Sequence, residues 1–99
     1  MDTDAIRARL ANAPRQQLLE YLARAIMETT VQNRVAYDEV DALPRLMRGN
    51  EVIHRLVGHL GDLTNPDEEL TESRISGIIE QIQSFPLNLD RVLGPGFSQ

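Results

Sequence analysis

Ninety-nine residues make one domain, and a core of that size folds without disulfides or metal, so the absence of cysteine removes zinc–thiolate sites, disulfide frameworks and thiol nucleophiles at no structural cost. Ten basic residues against fifteen acidic ones give a net charge of −5, the wrong sign for a generic nucleic-acid binder, whose affinity rests on counterion release at a basic surface. Every cation is arginine, which excludes the P-loop lysine, the Schiff-base lysine and lysine proton transfer.

Helical periodicity dominates, and no segment alternates apolar and polar residues long enough for a half-buried strand, so the chain reads as all-α. A first helix is predicted from Thr3 to Ala11, with Ile6 and Leu10 one turn apart. Asn12-Ala13-Pro14 closes it, and Pro14 opens a second helix, since proline lacks only an N–H that has no partner there. That helix is expected to run to Leu43. Heptad positions along it line up Leu19, Leu22, Ile26, Asn33, Ala36, Val40 and Leu43 as one seam with a polar centre. The competing reading is a break near Thr30, because Thr29-Thr30-Val31 places three β-branched side chains in a row. Pro44 is expected to end the long helix and Gly49-Asn50 to punctuate the next start.

From Glu51 to Leu60, the residues Val52, Ile53, Leu56, Val57 and Leu60 form one apolar face, with Glu51, His54, Arg55, Gly58 and His59 on the other. A loop spans 61–66. The last strong helix starts at Asn65 or, preferred, at Thr71, with Leu70 stapled onto Ile75. Ile75, Ile78, Ile79, Ile82 and Phe85 then share a stripe that Pro86 stops. After Leu87 one turn around Asp90 is expected, and 94–99 reads as a flexible tail beyond a single domain over 1–93. The fold class is therefore a small bundle of three or four helices, one of them long. Its expected core is Leu22, Ile26, Leu56, Leu60, Ile75, Ile78, Ile79 and Ile82. An acidic start and short apolar runs predict neither export signal nor membrane span, and place the chain in the cytoplasm.

Chemistry-bearing patterns are sparse. His54 and His59, five apart, diverge by about 140° on an ideal helix and cannot share one metal. Glu51 and His54 have the Glu-x-x-His spacing of di-iron bundles, which a symmetric dimer would have to duplicate, with Glu20, Glu28 or Glu39 as further carboxylates. No nucleophile elbow surrounds any serine, and neither Asp38-Glu39-Val40-Asp41 nor Asp67-Glu68-Glu69 has the order of a calcium loop.

The segment His54-Arg55-Leu56-Val57-Gly58-His59-Leu60-Gly61 resembles the phosphoaccepting helix of histidine phosphotransfer domains, which are four-helix bundles of similar length. The resemblance implies His54 as phosphoacceptor, with Gly58 clearing space for a receiver domain. Val57 stands where that family usually has lysine, and Glu51 one turn earlier repels a phosphoryl group.

The leading expectation is a non-enzymatic interaction module (adaptor, regulator or inhibitor subunit) without cofactor, pairing with itself and with another protein and touching neither nucleic acid nor membrane. It rests on order invested in apolar helix faces with no complete catalytic constellation. A long helix from Pro14 to Leu43, about 45 Å, would outreach its shorter neighbours and leave apolar surface for a homodimer. Asn33 would then fix register across the seam; otherwise it marks a bend or faces water. The alternatives are the phosphotransfer reading at His54 and a dimeric metal protein using Glu51 and His54.

Overall fold

A computed structural model describes residues 3–36, 42–85 and 87–94, and among them every regular element is helical: α1 (Thr3–Asn12), α2 (Arg15–Ala36), α3 (Leu43–Leu63), α4 (Glu72–Ser84) and α5 (Leu89–Leu93). None of these helices is long and apolar enough to cross a membrane. The Cα trace measures 43 × 29 × 19 Å along its principal axes.

The all-α expectation holds among the described residues, while the single long helix from Pro14 to Leu43 is not confirmed: 37–41 lie outside the described residues and Ala42 is not helical. α2 does continue through Thr29-Thr30-Val31, because both threonines back-bond within the helix: Thr29 Oγ1 donates to the Ala25 carbonyl at 2.7 Å and Thr30 Oγ1 to that of Ile26 at 2.8 Å. This satisfies hydroxyls that would otherwise compete with the backbone. Described helix ends at Ala36, and a new helix has begun by Leu43. Pro44 lies in the first turn of α3, where its missing N–H is no loss, so it opens a helix where the periodicity had it closing one. Gly49 and Asn50 consequently fall inside α3 and punctuate nothing. α2 and α3, with 22 and 21 residues, match in length and share the most extensive interface of the molecule.

The glycine at 49 has a packing reason. A Cβ there would fall 2.6 Å from Asn33 Cγ, so the amide of Asn33 occupies the space a side chain would need and α2 approaches the α3 backbone closely. Asn33 is only 8% exposed and its Nδ2 donates to Asn50 Oδ1 at 3.1 Å.

α4 starts where expected. Thr71 is its N-cap, with Oγ1 accepting from the Arg74 N–H at 3.1 Å, and Leu70 packs against the core to which Ile75 belongs. Ile75, Ile78, Ile79, Ile82 and Phe85 are all buried, as are Leu22 and Leu56, whereas Ile26 and Leu60 are half-buried at the edge. The expected turn near Asp90 is α5, capped by Asn88, whose Oδ1 accepts from the Asp90 N–H at 3.1 Å. It belongs to the core, with Leu89, Val92 and Leu93 buried against α2. Gly94 closes it at φ +99°, a conformation that costs glycine little. Positions 95–99, most of the expected tail, lie outside the described residues.

Arginines tie the elements together. Arg7 bonds Glu72 at 2.7 Å and Ser76 at 3.2 Å, fixing α1 to α4. Arg9 donates to the Leu93 carbonyl at 3.2 Å, and Arg15 donates to the carbonyls of Leu63, Asn65 and Glu68, holding the α3–α4 loop on the start of α2. An alanine at Arg15 would strand those carbonyls, and we expect earlier cleavage of the 64–71 loop by a glutamyl-specific protease at unchanged core stability; equal cleavage rates in both proteins would show the loop to be held by its own turns.

Candidate functional site

The predicted seam is not one surface. Leu22 is fully buried, Asn33 is buried beneath Gly49, and Leu19 and Ile26 are half-buried against the core. Leu43 sits on a different helix and is exposed, while the side chain of Ala36 and all of Val40 lie outside the described residues. The correction has a simple cause: α3 returns along the described part of α2 and packs on it within one molecule, so Asn33 faces its own chain. Over the described residues α2 and α3 are close in length, 22 and 21 residues, and no overhang of α2 is described.

What α2 offers to water is its other side. Met27 (67% exposed), Val31 and Val35 (64% exposed) are spaced four apart, and Val31 points about 160° away from Asn33. α2 therefore carries two apolar stripes and only one is buried. Leu43, Met47 and Val57 of α3 are likewise exposed, the last contrary to its predicted place on the buried face. The signal for the outer stripe was present in the spacing 27, 31, 35, but the heptad register drew attention to the other stripe.

The side of the molecule formed by α3 and α4 is polar. His54 is exposed, and a Cβ placed on Gly58 would meet nothing within 4 Å, so the helix surface there is open. Glu51 is bound by Arg55 at 2.7 Å, which removes part of the repulsion expected at His54 and occupies the carboxylate that a metal would need. Among the described residues no group of three or more histidines, cysteines or acids is placed to hold a metal ion. Of the acids named from sequence, Asp38, Glu39 and Asp41 lie outside the described residues. Glu28 is buried, with Arg91 3.8 Å away, and Glu20 pairs with Arg24 at 2.5 Å.

His59, missed as anything more than a surface residue, is half-buried beside a hub. Arg74 Nη1 lies 3.2 Å from its Nδ1 and 2.8 Å from Asp62 Oδ2, while Arg74 Nη2 bonds Glu68 Oε1 at 3.0 Å. The guanidinium can only donate, so Nδ1 accepts and the imidazole is neutral with its proton on Nε2. Burial first, then the charge of Arg74, hold the His59 pKa below 6.5, with Asp62 opposing. The unfolded chain therefore binds this proton more readily than the folded one. The stability His59 contributes is complete above its unfolded value and is lost as pH falls through the lower folded value. We expect the urea midpoint of His59→Gln to be flatter than that of wild type from neutral pH down to about pH 5, above the main carboxylate titrations; parallel curves would remove His59 from the acid response.

No protein-family model, curated protein or solved structure matches this chain. Its own surfaces therefore carry the functional assignment.

Proposed function

We propose that this protein is a non-enzymatic interaction module that pairs with a second copy of itself through the outer face of α2. The observation that carries this is the stripe Met27, Val31 and Val35, three large apolar side chains in water on one face of a well-formed helix. Single exposed apolar residues are ordinary; an aligned set on a rigid helix is a docking face. Its charges are self-complementary. In an antiparallel pair of α2 helices with Met27 at the twofold axis, residues equally spaced about Met27 face each other: Val31 meets Ala23 and Arg34 meets Glu20 of the partner subunit. One helix face is smaller than a standard interface of roughly 800 Å² per partner, so the dimer is weak and concentration-dependent.

Sedimentation equilibrium tests it. The mass average is expected to rise from the 11.2 kDa of one chain towards twice that value with concentration. Val31→Asp should abolish the rise; Glu20→Arg or Arg34→Glu alone should weaken it, and the two together restore it. A single monomeric species up to millimolar concentration would overturn the dimer, and failure of the double variant to recover would overturn the register.

A second reading follows the resemblance to histidine phosphotransfer domains, supported by an exposed His54 with open space at Gly58 and a Glu51 paired with Arg55. Its test is acid-labile phosphate that appears on wild type in the presence of a phosphorylated receiver domain and is absent from His54→Ala.

A further inference from the structure

We propose that His59, Asp62 and Arg74 form a proton-operated clasp between α3 and α4: a proton taken up at His59 Nδ1 moves the Asp62 carboxylate from Arg74 to His59 and frees the start of α4 from the end of α3. The clasp goes beyond the interaction-module reading and is independent of the outer face of α2.

The seat of the imidazole begins with the α4 backbone. Gly77 lies in the middle of α4, where glycine costs about 1 kcal/mol relative to alanine. A Cβ there would fall 3.3 Å from His59 Cε1 and 3.4 Å from Nε2, so the ring lies against the helix and a side chain at 77 would press on it. Arg74, one turn earlier on α4, meets the same ring at Nδ1. One edge of the imidazole is thus backed by α4 and the other faces a cation.

That cation joins three segments with two nitrogens. Arg74 Nη1 reaches α3 twice, at His59 Nδ1 (3.2 Å) and Asp62 Oδ2 (2.8 Å), and Nη2 reaches Glu68 Oε1 in the loop at 3.0 Å. Both of these ties to α3 leave from Nη1, and one of them requires a lone pair on Nδ1. When a solvent proton adds there, two donors and two like charges face each other. The imidazolium needs an acceptor, and Asp62, three residues on along α3, is within one turn of it. Asp62 is 57% exposed against 20% for Arg74, so the carboxylate is the partner free to swing. Once it pairs with His59 inside α3, Arg74 keeps only its bond to Glu68.

The other charged groups around the ring do not take that role. His54 and Arg55 line the same hollow from α3 and Glu80 from α4, with Arg55 held by Glu51, while Arg15 of α2 meets the loop at the Glu68 carbonyl. Burial and Arg74 keep His59 neutral to below its ordinary midpoint of 6.5, so the clasp is closed at neutral pH and opens in mildly acidic solution.

The test is nuclear magnetic resonance of the isotopically labelled full chain between about pH 7.5 and about pH 5, a range above the general carboxylate titrations. At the upper end the ring is expected to carry its proton on Nε2 with Nδ1 bare; a proton on Nδ1 there would overturn the clasp without any variant. As pH falls, the Arg74 Nε–H and Asp62 carboxyl signals should move with the midpoint of the His59 ring. Protection of the amides of 61–64 and 75–77 against hydrogen exchange should fall about fivefold or more relative to those of α2. His59→Gln keeps an oxygen that accepts from Arg74 and does not titrate, so protection should stay level across the range. Asp62→Asn removes the carboxylate that the imidazolium recruits, so the His59 midpoint should drop further and opening should need lower pH. An equal loss of protection in His59→Gln, an unmoved His59 midpoint in Asp62→Asn, or a wild-type His59 titration that leaves the Arg74 and Asp62 signals in place would each overturn the proposal.

Discussion

Replacing Ile78 by alanine is expected to cost about 2–5 kcal/mol of unfolding free energy, from the lost transfer energy of the side chain plus the cavity it leaves. Ile78 has no exposed surface and lies in the cluster that joins α1, α2, α3 and α5 to α4. Since whole domains are stable by only about 5–15 kcal/mol, the variant should lose a large part of its denaturant midpoint. Ile79, 4% exposed, should behave alike. A loss below about 1 kcal/mol in urea melts would place this stripe at the surface and undo the packing described above.

Gly49→Val is expected to be comparably harmful for the opposite reason. The added atoms must occupy the volume of the Asn33 amide, which is itself buried and bonded to Asn50. Overpacking of this kind costs typically about 1–3 kcal/mol. The milder Gly49→Ala recovers up to about 1 kcal/mol of helix propensity, which partly offsets its clash, so the informative experiment is a double-mutant cycle. Asn33→Ala empties the space, and Gly49→Ala should then become stabilising. Additive effects across the cycle would show that the two residues do not share that space.

This pair also shows how far sequence reasoning reaches. Asn33 stood out as a polar residue in an apolar stripe, and Gly49-Asn50 stood out as a glycine followed by a capping type. Both signals are real, yet their meaning is a contact between helices 16 positions apart in the chain, which periodicity within one helix cannot express. The stripe Ile75, Ile78, Ile79 and Ile82 was legible because isoleucines at helical spacing have one physical outcome, and the Thr71 cap because its hydrogen bond is local. Pro44 was misjudged because proline is tolerated equally after one helix and at the start of another. The turn around Asp90 was legible but its place in the core was not, because five residues carry too little pattern to reveal that Leu89, Val92 and Leu93 are buried. His59 was silent, since burial of a polar side chain depends on the neighbouring helix.

The cross-ties of α1 have a consequence for the order in which the molecule can assemble. Its partners Glu72, Ser76 and the carbonyl of Leu93 are between 65 and 84 positions away, and its Ile6 and Leu10 join a core completed by α4 and α5. A chain emerging from the ribosome makes α1 first and the surfaces that cover it last. Until α4 and α5 have left the exit tunnel, the N-terminal third carries its buried residues and its outer α2 stripe into water together. Closure is thus a late event, and residues 1–33, with four acids against four arginines, carry none of the net charge of −5 that the finished chain has.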